Sequence, residues 1–170
     1  SSGQGAASGA NEADTSNIVP ITITITGTNS APALADDTNS VTEDNGLLNG
    51  TIPPVETASA SVITAADTDA DYNGKDAWLI TSAKETSAAG STAVAAGGTA
   101  ADVAGKYGTL HIKADGSYTY TLSNSSDQIQ QLGHDGSLAD EFSVTVTDGS
   151  LTATQTLTIN IGGTNDKPTI

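Results

Sequence analysis

An antiparallel, all-β sandwich is the fold class this sequence predicts, and three observations predict it. Short runs alternate apolar and Thr residues with the period of a half-buried strand, as in Ile21-Thr-Ile-Thr-Ile-Thr26. Asp-Gly pairs at 115–116 and 148–149 stand between such runs and read as hairpin turns. Six or more short strands with turn signals between them suit two packed antiparallel sheets better than any helical arrangement.

Taken in order, residues 1–17 are Ser, Gly, Ala, Asn and acids without periodicity, the composition of a flexible tail. From Ile18 the chain becomes strand-like, with Pro20 placing the start of that strand at an edge. The first strand of the body falls between Asp36-Asp37 and Glu43-Asp44, and further strands are expected at 61–65, 77–81, 107–112, 117–122, 141–147 and 151–161. Residues 127–132 suit one or two helical turns ended by Gly133. Residues 82–105, rich in Ala, Gly, Ser and Thr, read as a long loop on the rim, with Trp78 as a core plug nearby.

One phrase is written twice. An alternating strand, Gly-Thr-Asn, one residue and then Ala or Lys before Pro occur at 21–32 and again at 157–168, with Gly27 and Gly163 standing 136 residues apart. That offset is the size of a domain rather than of a solenoid repeat. The expected organisation is therefore a tail at 1–17, the last strand and linker of a preceding repeat at 18–32, a sandwich at 33–162 and a C-terminal linker at 163–170.

Composition narrows the function. Of 170 residues 36% are hydrophobic, with one Trp, four Tyr and one Phe, so the core is thin and wants bracing. There is no Cys, which removes disulfides and thiolate metal sites. Five Lys and Arg face twenty Asp and Glu, a net charge of −15, which opposes nucleic acid and anionic membranes and favours cations. No apolar run is long enough to insert across a membrane, and the N-terminus lacks the pattern of a secretion signal, so export information is expected outside this sequence.

The sharpest local cluster is Asp67, Asp69 and Asp71, at alternate positions ahead of Asn73-Gly74. Alternate spacing in a loop lets carboxylates converge, and calcium takes six to eight such oxygens. An exposed acidic turn reads equally well there. Asn165-Asp166 ahead of Pro168 offers an amide, a carboxylate and free carbonyls in a linker; a plain turn is the competing reading. His111 and His134 are isolated, and neither a nucleophile elbow, a zinc-type His pair nor a phosphate loop is present.

Residues 107–122 (Tyr-Gly-Thr-Leu-His-Ile-Lys-Ala-Asp-Gly-Ser-Tyr-Thr-Tyr-Thr-Leu), 140–149 (Asp-Glu-Phe-Ser-Val-Thr-Val-Thr-Asp-Gly) and 158–168 resemble the VCBS repeat. With Ala31-Pro-Ala-Leu-Ala-Asp-Asp37 and Val41-Thr-Glu-Asp44 the resemblance covers about 18–170. It implies a cadherin-like or immunoglobulin-like sandwich, tandem repetition in large secreted or surface proteins of bacteria, of the kind exported in one step, and calcium between repeats. By similarity to cadherin-like modules, Glu43 matches the early acidic ligand, Asp67 and Asp69 the Asp-x-Asp pair, and Asn165 and Asp166 the linker Asn-Asp; the upstream linker departs from this pattern, with Ser30 in the place of Asp166. The expected function is a non-enzymatic, calcium-binding extender of an extracellular adhesin in adhesion or biofilm formation, partnered by calcium ions and neighbouring repeats. The alternative is a calcium-dependent, lectin-like module for acidic exopolysaccharide.

Overall fold

In the computed structural model the described residues are 20–43, 56–71 and 78–164. Nine strands and one helical turn follow in the order β1 (Asp37–Thr42), β2 (Thr57–Ser61), β3 (Leu79–Glu85), β4 (Thr92–Ala93), β5 (Ala101–Ala104), β6 (Gly108–Ile112), β7 (Ser117–Leu122), α1 (Asp127–Gln130), β8 (Ser137–Thr147) and β9 (Thr152–Gly162). One sheet has the order β1-β9-β8-β3-β4 and the other β2-β7-β6-β5. Every ladder is antiparallel except β1 on β9, which pair in parallel from Asp37↔Leu157 to Thr42↔Gly162.

The alternation written in the sequence sets the inner faces. Phe142, Val144 and Val146 of β8 and Leu157, Ile159 and Ile161 of β9 point inward against Leu110 and Ile112 of β6 and Tyr118, Tyr120 and Leu122 of β7. Burying each such side chain favours the fold by roughly 1.5–3 kcal/mol. The intervening Thr residues, which suit the pleat through their branched Cβ, keep their hydroxyls on the outer faces. Tyr120 meets Phe142 edge-on at 6.0 Å, and Trp78 is buried as a core plug. The β8–β9 turn needs Gly149 at φ +100°. Its Asp148 closes the turn by accepting the Ser150 and Leu151 N–H groups at 2.7 Å.

Four expectations need correction. The half-buried strand expected over 21–26 joins neither sheet among the described residues, and Ile21, Ile23 and Ile25 stand exposed. Residues 82–105 are not one loop: Ser82–Glu85 continue β3, and β4 and β5 form the facing edges of the two sheets. Val94 and Val103 enter the core there, and the small residues around them let the two edges approach each other. The strand expected at 61–65 lies at 57–61, because Ser61 Oγ takes the Ile63 N–H and turns the chain out of the ladder, leaving Val62 as a core residue. The helix is one turn, anchored by buried Ile129, and ends at Gln130. The expected tail at 1–17 lies outside the described residues.

Candidate functional site

Strand β1 separates the candidate residues. Its N-terminal end pairs with the middle of β9 at Leu157 and points toward the β8–β9 turn, and its C-terminal end lies beside the last residues of β9. Over the six-residue strand these ends stand roughly 20 Å apart.

At the N-terminal pole, Asp67 is 1% exposed and works as a staple. Its Oδ1 accepts the Ala35 N–H at 2.9 Å, and its Oδ2 accepts the Thr64 N–H at 2.6 Å and the Thr64 hydroxyl at 3.4 Å. Backbone bonds between Ala33 and Thr68, at 2.8 and 2.9 Å, hold the incoming chain against the same loop. Asp69 and Asp71 lie further out. Asp69 Oδ1 accepts the Asp71 N–H at 2.9 Å, and Asp71 Oδ2 accepts the Ser30 N–H at 2.5 Å. Asn29 donates its amide to Asp148 Oδ2 at 2.8 Å, so both linker residues already bond acids of this pole.

Two further acids belong here. Asp36 Oδ1 accepts the Thr156 N–H at 2.7 Å, and Asp37 accepts from Gln155 Nε2 at 3.3 Å. Burial, reinforced by the negative charges of Asp67 and Asp36, pushes the Asp37 carboxyl up to about 6. Asp148 goes the other way: the N–H groups of Leu151 and Ser150, with the Asn29 amide, hold its carboxyl below the usual range. Gln155 is buried behind Asp37 with Nε2 on the Val62 carbonyl, and its Oε1 has no partner among the described residues. Nothing in the sequence singled out Gln155, which occupies an inward position of an otherwise apolar alternation.

At the C-terminal pole, Glu43 is 1% exposed. Its N–H donates to the Gly162 carbonyl at 3.1 Å, and its Oε1 accepts the Thr164 N–H at 2.7 Å. Gly163 donates to the Gly136 carbonyl at 2.8 Å, so the outgoing chain is gripped from both sides. A Cβ at Gly163 would overlap the Gly133 carbonyl and reach Leu132 Cβ at 2.6 Å. Asn165 and Asp166 lie outside the described residues.

Asp67, Asp69 and Asp71 are thus gathered at one pole and Glu43 is placed at the other. All are hard oxygen donors of the kind calcium takes. Among the described residues no group of three or more His, Asp or Glu side chains is arranged to hold a metal ion.

Asp140 of β8 is a core staple. It accepts the Lys106 and Tyr107 N–H groups and the Tyr120 hydroxyl, each at 3.0 Å. Burial, together with the Asp140 charge and its hydrogen bond, pushes the Tyr120 hydroxyl well above the usual range and keeps it a donor. His111 Nδ1 lies 2.6 Å from Asp102 Oδ1 on the outer face of the second sheet, with no hydroxyl hydrogen-bonded to the ring among the described residues. The outer face of the first sheet carries an open groove of about 290 Å³ lined by Ser82, Lys84, Ser91, Ser143, Thr145 and Thr154.

A family model described as the bacterial cadherin-like domain matches residues 29–163, the span that contains every strand of the described residues. No curated protein matches the chain. On that match and on its two-sheet β frame, the chain belongs to the bacterial cadherin-like domain family, an adhesion-type module.

Proposed function

We propose that the chain is a non-enzymatic, VCBS-type repeat of a secreted or surface adhesin of bacteria, stiffened by calcium shared between the C-terminal pole of one module and the N-terminal pole of the next. The observation that carries this reading is the partition of the candidate ligands. Glu43 beside the outgoing linker and Asp67, Asp69 and Asp71 beside the incoming one are each too few to complete a calcium shell of six to eight oxygens. Stacked end to end, two such poles with Asn165 and Asp166 between them add up to one. Residues 18–32 then belong to the preceding repeat. Ile21, Ile23 and Ile25, 85%, 79% and 90% exposed, correspond through the Gly-Thr-Asn repeat to Leu157, Ile159 and Ile161, which are core residues of β9.

Thermal unfolding and limited proteolysis of the chain with calcium and with chelator test the reading. A calcium-dependent rise in the midpoint of an end-to-end pair that the single chain lacks, and that Asp69→Asn with Asp71→Asn in the second copy abolishes, supports it, since an ion that binds only the folded state stabilises by mass action. No shift at millimolar calcium, in this chain and in an end-to-end pair, rejects calcium stiffening.

The hydroxyl-lined groove with Lys84 at its edge favours one second reading, a module that binds acidic exopolysaccharide. A glycan-binding assay with and without chelator separates the two: saturable binding lost on Lys84→Ala supports the lectin-like role, and a pure extender shows none.

A further inference from the structure

Tension applied to the two ends of this chain meets one particular pair of strands. The incoming segment runs into β1 at Asp37, at the N-terminal pole, and the outgoing segment leaves β9 at Gly162, at the C-terminal pole. These two strands lie side by side, in parallel, over the register Asp37↔Leu157 to Thr42↔Gly162. Pulling the ends apart therefore draws β1 toward one pole and β9 toward the other, along their shared axis.

Direction of load decides how a ladder fails. Strands slid lengthwise past each other load all their hydrogen bonds together, whereas strands peeled from one end load them one pair at a time. We propose that the module is a load-bearing element in which β1 and β9 form a shear clamp between the ends of the chain. The inference rests on the reading of the chain as an extender only for its biological use; the clamp itself is a property of one module.

The surrounding contacts assign the order of events. The first bonds on the incoming side, Asn29 to Asp148 and Ser30 to Asp71, involve exposed groups and are loaded singly, as is the isolated bridge between Ala33 and Thr68. Behind them stands the β1–β9 ladder. It is lengthened at its head by Asp36 on the Thr156 N–H and at its foot by Glu43 on Gly162 and Thr164. Strand β9 is held on its other edge by β8 over eleven paired residues, also in shear, from Ser137↔Gly162 to Thr147↔Thr152. Six paired residues yield before eleven, so release of β1 sets the force. Only Val41 among the β1 side chains is buried in the apolar core, so the backbone ladder carries most of that resistance.

Single-molecule force spectroscopy in chelator, on the full chain, tests the clamp. Handles on the two termini load β1 against β9. Handles on Ser137→Cys and the C-terminus, in a chain with no other cysteine, peel β8 from β9 beginning at the Ser137↔Gly162 pair. The clamp requires an end-to-end rupture force at least about twice the peeling force at one loading rate, with a main extension on the order of 400 Å as the body unravels. Val41→Ala lowers the first force and leaves the second unchanged. Equal forces in the two geometries, or end-to-end release in several small steps, overturn the proposal. The geometry comparison needs no destabilised variant. Because calcium is absent throughout, a weak clamp argues against shear loading alone and leaves calcium stiffening to its own test.

Discussion

Gly-Thr-Asn occurs at 27–29 and at 163–165, and the two copies begin in opposite surroundings. Around Gly27 nothing lies within 4 Å of an added Cβ, and the three Ile residues before it project into solvent. Around Gly163 the fit leaves no room for a Cβ, and Leu157, Ile159 and Ile161 ahead of it are fully buried between β1 and β8 on one side and the second sheet on the other. The difference is not in the residues. An alternating Ile/Thr strand becomes core only when flanking strands and a facing sheet close over it, and until then it keeps an unspent hydrophobic driving force of roughly 1.5–3 kcal/mol per Ile.

That contrast is sharpest when the same change is made in both places. Ile159→Ala should cost about 2–5 kcal/mol in denaturant unfolding, whereas Ile23→Ala should fall within about 0.5 kcal/mol of the parent chain. Gly163→Ala should cost about 1–3 kcal/mol through overpacking against Leu132 and Gly133, and Gly27→Ala again close to nothing. A measurable loss at either residue 23 or residue 27 would break the comparison, because it would place the 20–28 segment on this body. The N-terminal pole offers a smaller contrast: Asp67→Asn turns an amide toward one of the donors that its carboxylate satisfies and should cost about 1–2 kcal/mol, while Asp71→Asn, at the exposed end of the same run, should be nearly silent without calcium.

The smallest effect is in pH. In the folded chain Asp37 keeps its proton up to about pH 6, while the unfolded chain has an ordinary carboxylate that loses it near pH 4. The folded state thus binds the extra proton between those values, and stability falls as the pH rises through this window. Thermal midpoints measured from pH 4 to pH 7 should show that decline, and Asp37→Asn should flatten it. Glu85, Asp115 and Asp148, held below the usual range, contribute the opposite slope at lower pH.

Much of the frame was legible in advance because alternation and turn chemistry are local. The hairpin at Asp115-Gly116, the strand of Phe142, Val144 and Val146, and the final strand follow from period and turns alone. The edges were not legible. β4 and β5 are built from Ala, Thr, Val and one Asp in a stretch with no strong period, and they exist because the neighbouring β3 and β6 offer free backbone groups to pair with. At the poles, the residue types at Glu43, Asp67, Asp69 and Asp71 were readable. Their separation to opposite ends follows from the parallel β1–β9 pairing, which no local pattern encodes. Gln155 and the capture of Asn29 by Asp148 join residues more than ninety positions apart and leave no trace in a local window.

The most direct test of shared poles is calorimetric titration of calcium into the single chain and into a tandem chain whose first copy is joined at Pro168, the counterpart of Pro32, to a second body beginning at Ala33. The reading requires tight binding in the tandem that the single chain lacks, lost on Asp166→Asn in the first copy or on Asp69→Asn with Asp71→Asn in the second. Equal binding in the single and tandem chains, or no binding in either, would contradict it.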